Sequence, residues 1–129
     1  IVVCTGGGGV PVFEKDGAYS GVPAVIDKDR SSARMAADFK ADMLIILTAV
    51  EKVAINFNTP EQKNLDHMSV ADAQRYIEEG QFAPGSMLPK VQACLEYLAD
   101  YPSGKALITS LECAEAAIKG ETGTTITVD

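Results

Sequence analysis

Short unbroken apolar runs recur along the chain: "VVC" at 2–4, "VPAVI" at 22–26 and "MLIILT" at 43–48. Runs of this length without period-two alternation predict strands, and the longest has the pattern of a strand buried on both faces of a parallel sheet. Between them lie segments with helical spacing. "DKDRSSARMAADFKA" at 27–41 opens on acidic and Ser residues and carries Ala33, Ala36 and Ala37 along one face, as a helix packed closely on a sheet would. "SVADAQRYIEEG" opens with Ser69, has Asp72 three residues on, close to a capping box, and stops at Gly80. "SMLPKVQACLEYLADYP" is the clearest helix: Ser86 is a candidate cap, Pro89 is tolerated in a first turn, and Val91, Cys94, Leu95 and Leu98 form a stripe.

The remaining stretches complete the alternation. "PVFEKDGAYSG" at 11–21 reads as a polar excursion or hairpin turning at Asp16-Gly17. "KVAINF" at 52–57 is a candidate short strand, "NTPEQKNLDHM" a polar loop, and "KALITS", "LECAEAAIKG" and "TTITV" a closing strand, helix and strand. Alternating strands and helices predict an α/β fold, a largely parallel sheet covered on both faces. There is no repeat. A first strand with nothing before it, and no initiator Met, suggests that residues 1–129 are one domain of something larger.

Composition narrows the function. With 129 residues, 47% of them hydrophobic, the chain has material for one core. Eleven Lys and Arg against 18 Asp and Glu leave a net charge of -7, with no basic stripe for a phosphate backbone, so nucleic acid is not the expected partner. No apolar stretch reaches membrane-spanning length, and no secretory signal is visible. Cys4, Cys94 and Cys113 are odd in number and set among apolar residues, which fits reduced, packed thiols in a cytoplasmic protein.

Three stretches have residue types that suit an anion. Gly6, Gly7, Gly8 and Gly9 follow the first apolar run, so their unhindered N–H groups make either a phosphate nest or a plain flexible turn. The run lacks the Lys-Ser/Thr of a Walker A loop and the spacing of a dinucleotide fingerprint. "IDKD" places Lys28 between Asp27 and Asp29 at the end of an apolar run, where open α/β sheets bind ligands; the plainer alternative is a solvated helix start. "GQFAPGSMLPK" runs into a helix whose Lys90 sits near the positive end of the dipole, a local misfit that favours an anion-binding role. His67 stands alone in a polar stretch, which disfavours a metal site.

Together, "CTGGGGVPV" (4–12), "GVPAVIDKDRSSA" (21–33), "LIILTAVEKVAINF" (44–57) and "EEGQFAPGSMLPKV" (78–91) resemble the C-terminal, nucleotide-binding half of the carbamate kinases, a branch of the amino acid kinase family. The resemblance covers most of the chain, and "GQFAPGSMLPK" is its most specific motif. It implies a three-layer α/β/α sandwich around a mainly parallel sheet, with the N-terminal lobe that holds the phosphoryl acceptor absent. The reaction it implies is reversible phosphoryl transfer between carbamoyl phosphate and ADP, giving ATP and carbamate, the last step of arginine fermentation. Magnesium would accompany the nucleotide, and the full-length protein would be a homodimer.

By the same resemblance Lys28, Asp29 and Lys90 form the catalytic set, with Asp29 orienting the lysines. Gly6, Gly7, Gly8 and Gly9 would face the carbamoyl or phosphoryl group. Thr48, Ala49, Val50, Phe82, Gly85, Ser86, Met87 and Lys90 would line the nucleotide; many relatives in the wider family have Asp where this chain has Ala49. The fragment alone is expected to be inactive. The alternatives are another kinase of the family, acting on acetylglutamate, glutamate or UMP, and a non-catalytic nucleotide-binding module.

Overall fold

The computed structural model describes residues 1–129. Its main sheet has four strands, β3 (Met43–Thr48), β6 (His67–Ser69), β7 (Lys105–Ser110) and β8 (Thr124–Thr127), in the order β3-β7-β8-β6. The β3–β7 and β6–β8 pairs are parallel and β7–β8 is antiparallel, so the sheet is mainly parallel. Two small antiparallel pairs flank it: β1 (Val12–Lys15) with β2 (Ala18–Gly21), and β4 (Val53–Ile55) with β5 (Lys63–Leu65). The first is the expected hairpin, with Asp16 at φ 54° and Gly17 at φ 76° meeting the two positive φ angles of a tight turn.

Local chemistry starts and stops the helices. In α1 (Lys28–Asp38) the Asp27 side chain caps the N-terminus by accepting the Arg30 N–H at 2.9 Å. In α2 (Val70–Glu78) Ser69 and Asp72 form the reciprocal capping box, and Gly80 leaves the helix at φ 71°. In α3 (Met87–Asp100) Val91, Cys94 and Leu98 are buried with Ala93 and Tyr97, while Leu95 packs at the core's edge. Tyr97 is fully buried and donates its hydroxyl to the Ala41 carbonyl at 2.5 Å. Ser86 precedes α3 but makes no side-chain cap, contrary to expectation: its backbone, at φ -142° and ψ -77°, is not in the capping conformation.

The core lies between one face of the sheet and α1, α2 and α3, where Leu44, Ile46, Ala106, Ile108 and Ile126 meet Ala33, Val91, Cys94 and Leu98. Only α4 (Ala114–Ile118) lies on the other side, where Ala117 packs near Leu107 and Gly123. With that short cover, β3 is not buried on both faces. Leu44 and Ile46 are buried, Met43 and Ile45 half-buried and Leu47 exposed.

Three expectations need correction. Residues 2–4 and 22–26 form no strand, and Val2, Val3 and Val25 are exposed, because neither run finds a neighbouring strand to complete its backbone hydrogen bonds. Cys4 is likewise exposed rather than packed, its Sγ lying 3.3 Å from the Met35 Sδ. The polar stretch at 58–68 is not simply a loop: it contributes β5 and enters β6, held by pairing with β4 and β8 despite its polar sequence. His67 sits in β6, with Nε2 2.7 Å from the Thr127 Oγ1.

Candidate active site

The N-termini of α1 and α3 meet side by side, and their first turns bring the charged residues together. Lys90 donates from Nζ to the Asp29 Oδ2 at 2.8 Å, although 61 residues separate them. Both side chains are nearly buried, at 14% and 11% exposure, which makes this pair unlike the solvent-facing ion pairs of the surface. Lys28 Nζ lies 3.9 Å from the other carboxylate oxygen, Oδ1, with its side chain 66% exposed. Asp29 therefore holds one lysine firmly and leaves the other free to reach outward.

This arrangement resolves the misfit of Lys90 in the first turn of α3. A cation there is unfavourable to the helix dipole, and the Asp29 carboxylate compensates it. Asp29 in turn gains from the first turn of α1. The Arg30 backbone N–H holds the Asp27 carboxyl below its usual range, helped by the Asp29 N–H and by the charges of Lys28 and Lys90. Two helix N-termini with two lysines and a fixed carboxylate form a surface on which added negative charge is stabilised.

Of the four glycines, Gly7 comes closest to this cluster. Its φ is 76°, and a Cβ placed there would lie 3.2 Å from the Ile26 carbonyl oxygen and 3.6 Å from the Lys28 Cβ. A side chain at Gly7 would be strained by the positive φ and would press on the Ile26 carbonyl, so the conformation favours glycine there. Gly6, Gly8 and Gly9 have nothing within 4 Å of an added Cβ.

A cavity of about 490 Å³ opens beside the start of α3, a volume suited to a small organic ligand. Thr48, Ala49, Val50, Phe82, Ser86 and Met87, all expected at a nucleotide, line it. Gly85 and Lys90 do not, Lys90 being engaged with Asp29 one turn further along α3. Sequence reasoning missed Lys52, Ala54, Asn56, Phe57, Gln81 and Ala83 on the same walls. Asn56 and Phe57 follow directly on β4, and position at a strand end was the signal that could have found them. Lys52 pairs with Asp66 at 2.5 Å, a bond that raises the Lys52 pKa.

The sheet topology and the paired helix N-termini define a mixed α/β protein whose two converging helix starts lie beside one cavity. A sequence profile of the amino acid kinase family matches residues 1–110, and the chain belongs to that family. It is 52% identical over 126 residues to the carbamate kinase of Clostridium perfringens and 53% identical over 126 residues to the carbamate kinase-like protein YqeA of Escherichia coli. Each match covers 98% of this chain, which spans about 40% of the length of these curated relatives. Among solved structures, the carbamate kinase of Giardia lamblia bound to AMP-PNP superposes with a TM-score of 0.90 at 38% identity, over 98% of this chain and 40% of that one.

Proposed function

We propose that this chain is the nucleotide-binding lobe of a longer kinase that moves a phosphoryl group between carbamoyl phosphate and ADP, giving ATP and carbamate. Carbamate then decomposes to ammonia and carbon dioxide, and the reaction would serve as the ATP-forming end of arginine fermentation in a cytoplasmic homodimer. The observation that carries the reading is the nearly buried Lys90–Asp29 pair, placed where two helix N-termini meet and one turn from the cavity. Similarity to carbamate kinases, one of them solved with AMP-PNP, supports it.

Phosphoryl transfer needs in-line positioning and cancellation of charge more than proton transfer. Lys90 and Lys28 would contact the phosphoryl oxygens as charge shifts from one phosphate to the other. Asp29 touches neither reactant; it is a positioning residue that fixes the Lys90 ammonium. The N–H groups of the Gly6–Gly9 loop would face the transferred group from the side of Lys28. The base and ribose would lie in the cavity against Phe82, Met87 and Val50. An isolated chain of these residues would bind ADP weakly and turn nothing over, since the acceptor side is assigned to the remainder of the longer protein.

No three His, Cys, Asp or Glu side chains converge in a group that could hold a metal ion. That donor set does not fit a protein-built magnesium cage, and Asp29 is already committed to the lysines. Magnesium fits instead as the nucleotide's own companion, bound mainly by phosphate oxygens and water.

An assay of ATP formation by the full-length protein, with ADP and carbamoyl phosphate, tests the reading directly. ATP formation is expected. Activity with acetylglutamate, glutamate or UMP in place of carbamoyl phosphate would move the assignment elsewhere in the family. Nucleotide binding without any transfer would make the protein a non-catalytic nucleotide-binding module.

A further inference from the structure

The two walls of the cavity come from distant parts of the chain, and one side chain hydrogen-bonds from one to the other. Asn56, at the end of β4, has a left-handed backbone at φ 51°, and its N–H donates to the Gln81 Oε1 at 2.8 Å. The remainder of that turn is held from its own side, by the Thr59 hydroxyl donating to the Asn56 carbonyl at 2.8 Å. Gln81 begins from a rigid point: Gly80, at φ 71°, ends α2, and the Gln81 N–H returns to the Tyr76 carbonyl at 2.9 Å. Next in sequence, Phe82 is buried and sits edge-on to Tyr76.

The hydrogen-bond chemistry fixes which way round the amide sits. A backbone N–H can donate only to an acceptor, so the Gln81 oxygen must face Asn56, and the Nε2 hydrogens are left over. Lys52, Asn56 and Phe57 on one wall are thereby tied to Gln81, Phe82 and Ala83 on the other. Without that bond, nothing in the side-chain hydrogen bonding joins Asn56 to the α2–α3 segment.

We infer that Gln81 is a positioning residue for the nucleotide: its side-chain oxygen latches the Asn56 turn and so sets the width of the cavity. This rests on the proposal that the cavity receives the nucleotide, but not on which group accepts the phosphate. Holding the walls at their bound separation before the ligand arrives removes an ordering cost from binding.

The test uses the full-length protein with Gln81→Met, which keeps length and bulk but cannot accept strongly, and Gln81→Glu, which keeps the acceptor. ADP binding is measured by calorimetry, and thermal unfolding is followed in parallel. Loss of one such bond predicts that Gln81→Met weakens ADP about fivefold, while Gln81→Glu stays within about twofold of the parent. In the kinase assay the nucleotide KM should rise by the same factor with kcat within about twofold. Unchanged ADP affinity in Gln81→Met overturns the inference, as does equal weakening in both variants. ADP binding that responds to Gln81 as expected, in a protein forming no ATP from carbamoyl phosphate, overturns the proposed reaction and leaves the role of Gln81 standing. A parent protein that binds no ADP overturns both.

Discussion

Residues 1–26 and the segment from α3 through β7 both carry apolar runs, yet they end in opposite environments. In the second region Val91, Cys94, Leu98, Ala106 and Ile108 are almost completely buried, because the helix stripe packs directly on the inner face of the strand. In the first, Val2, Val3, Val10 and Val25 are at least 79% exposed, and the hairpin β1–β2 pairs only with itself. Apolar sequence thus marks what is suited to burial, and the partner decides whether burial occurs. On the proposed function, the remainder of the longer kinase would cover residues 1–26 and place the glycine loop against a reactant.

The contrast is sharpest in the thiols. Burial pushes the Cys94 pKa from 9.0 up to about 12, whereas Cys4 is exposed. At pH 8 an aromatic disulfide reagent should modify Cys94 far more slowly in the folded chain than in denaturant, since burial both shields the thiol from the reagent and suppresses its thiolate. Cys4 should react readily in both. The raised value has a stability consequence of definite sign: the contribution is fully present below about pH 9 and is lost as pH rises towards 12. Rapid modification of folded Cys94 would erase the difference between the regions.

Smaller effects bear on packing. Phe82, 4% exposed, contacts the core, so Phe82→Ala should lower unfolding stability by about 3–5 kcal/mol in a denaturant titration. Val25, 93% exposed, should tolerate Val25→Ser within about 0.5 kcal/mol in the 129-residue chain. The same substitution in the full-length protein should cost about 1–2 kcal/mol where the remainder of the kinase covers Val25, in keeping with burial of a valine side chain. Equal costs in the two proteins would remove the basis for assigning that cover to the longer chain.

What could be read beforehand follows from where the determinants lie. The helix boundaries were legible because Asp27, Ser69, Asp72 and Gly80 act within a turn of the ends they define. Strands were legible in part: "MLIILT" and "KALITS" are β3 and β7, but a run such as 2–4 reads as β and lacks the neighbour its hydrogen bonds need, while the polar β5 exists only through pairing with β4. Ser86 shows the same limit at a cap, where a suitable residue is overruled by the backbone path of the preceding loop. In the site, Lys28 and Asp29 stood out as charges at the end of an apolar run and Lys90 as a cation misplaced at a helix start, and the fold pairs Lys90 with Asp29. Asn56 and Gln81 carry no such oddity, and their meeting depends on two loops converging.

On the proposed function, Lys90 stabilises the transferred charge while the neighbouring cavity holds the nucleotide. Measuring kcat and ADP affinity together for Lys90→Met in the full-length protein separates the two. Losing a charge that acts in the transition state predicts a fall in kcat of about 10²–10³ with ADP affinity changed far less. A kcat within about threefold of the parent, or a loss confined to ADP affinity, would contradict it.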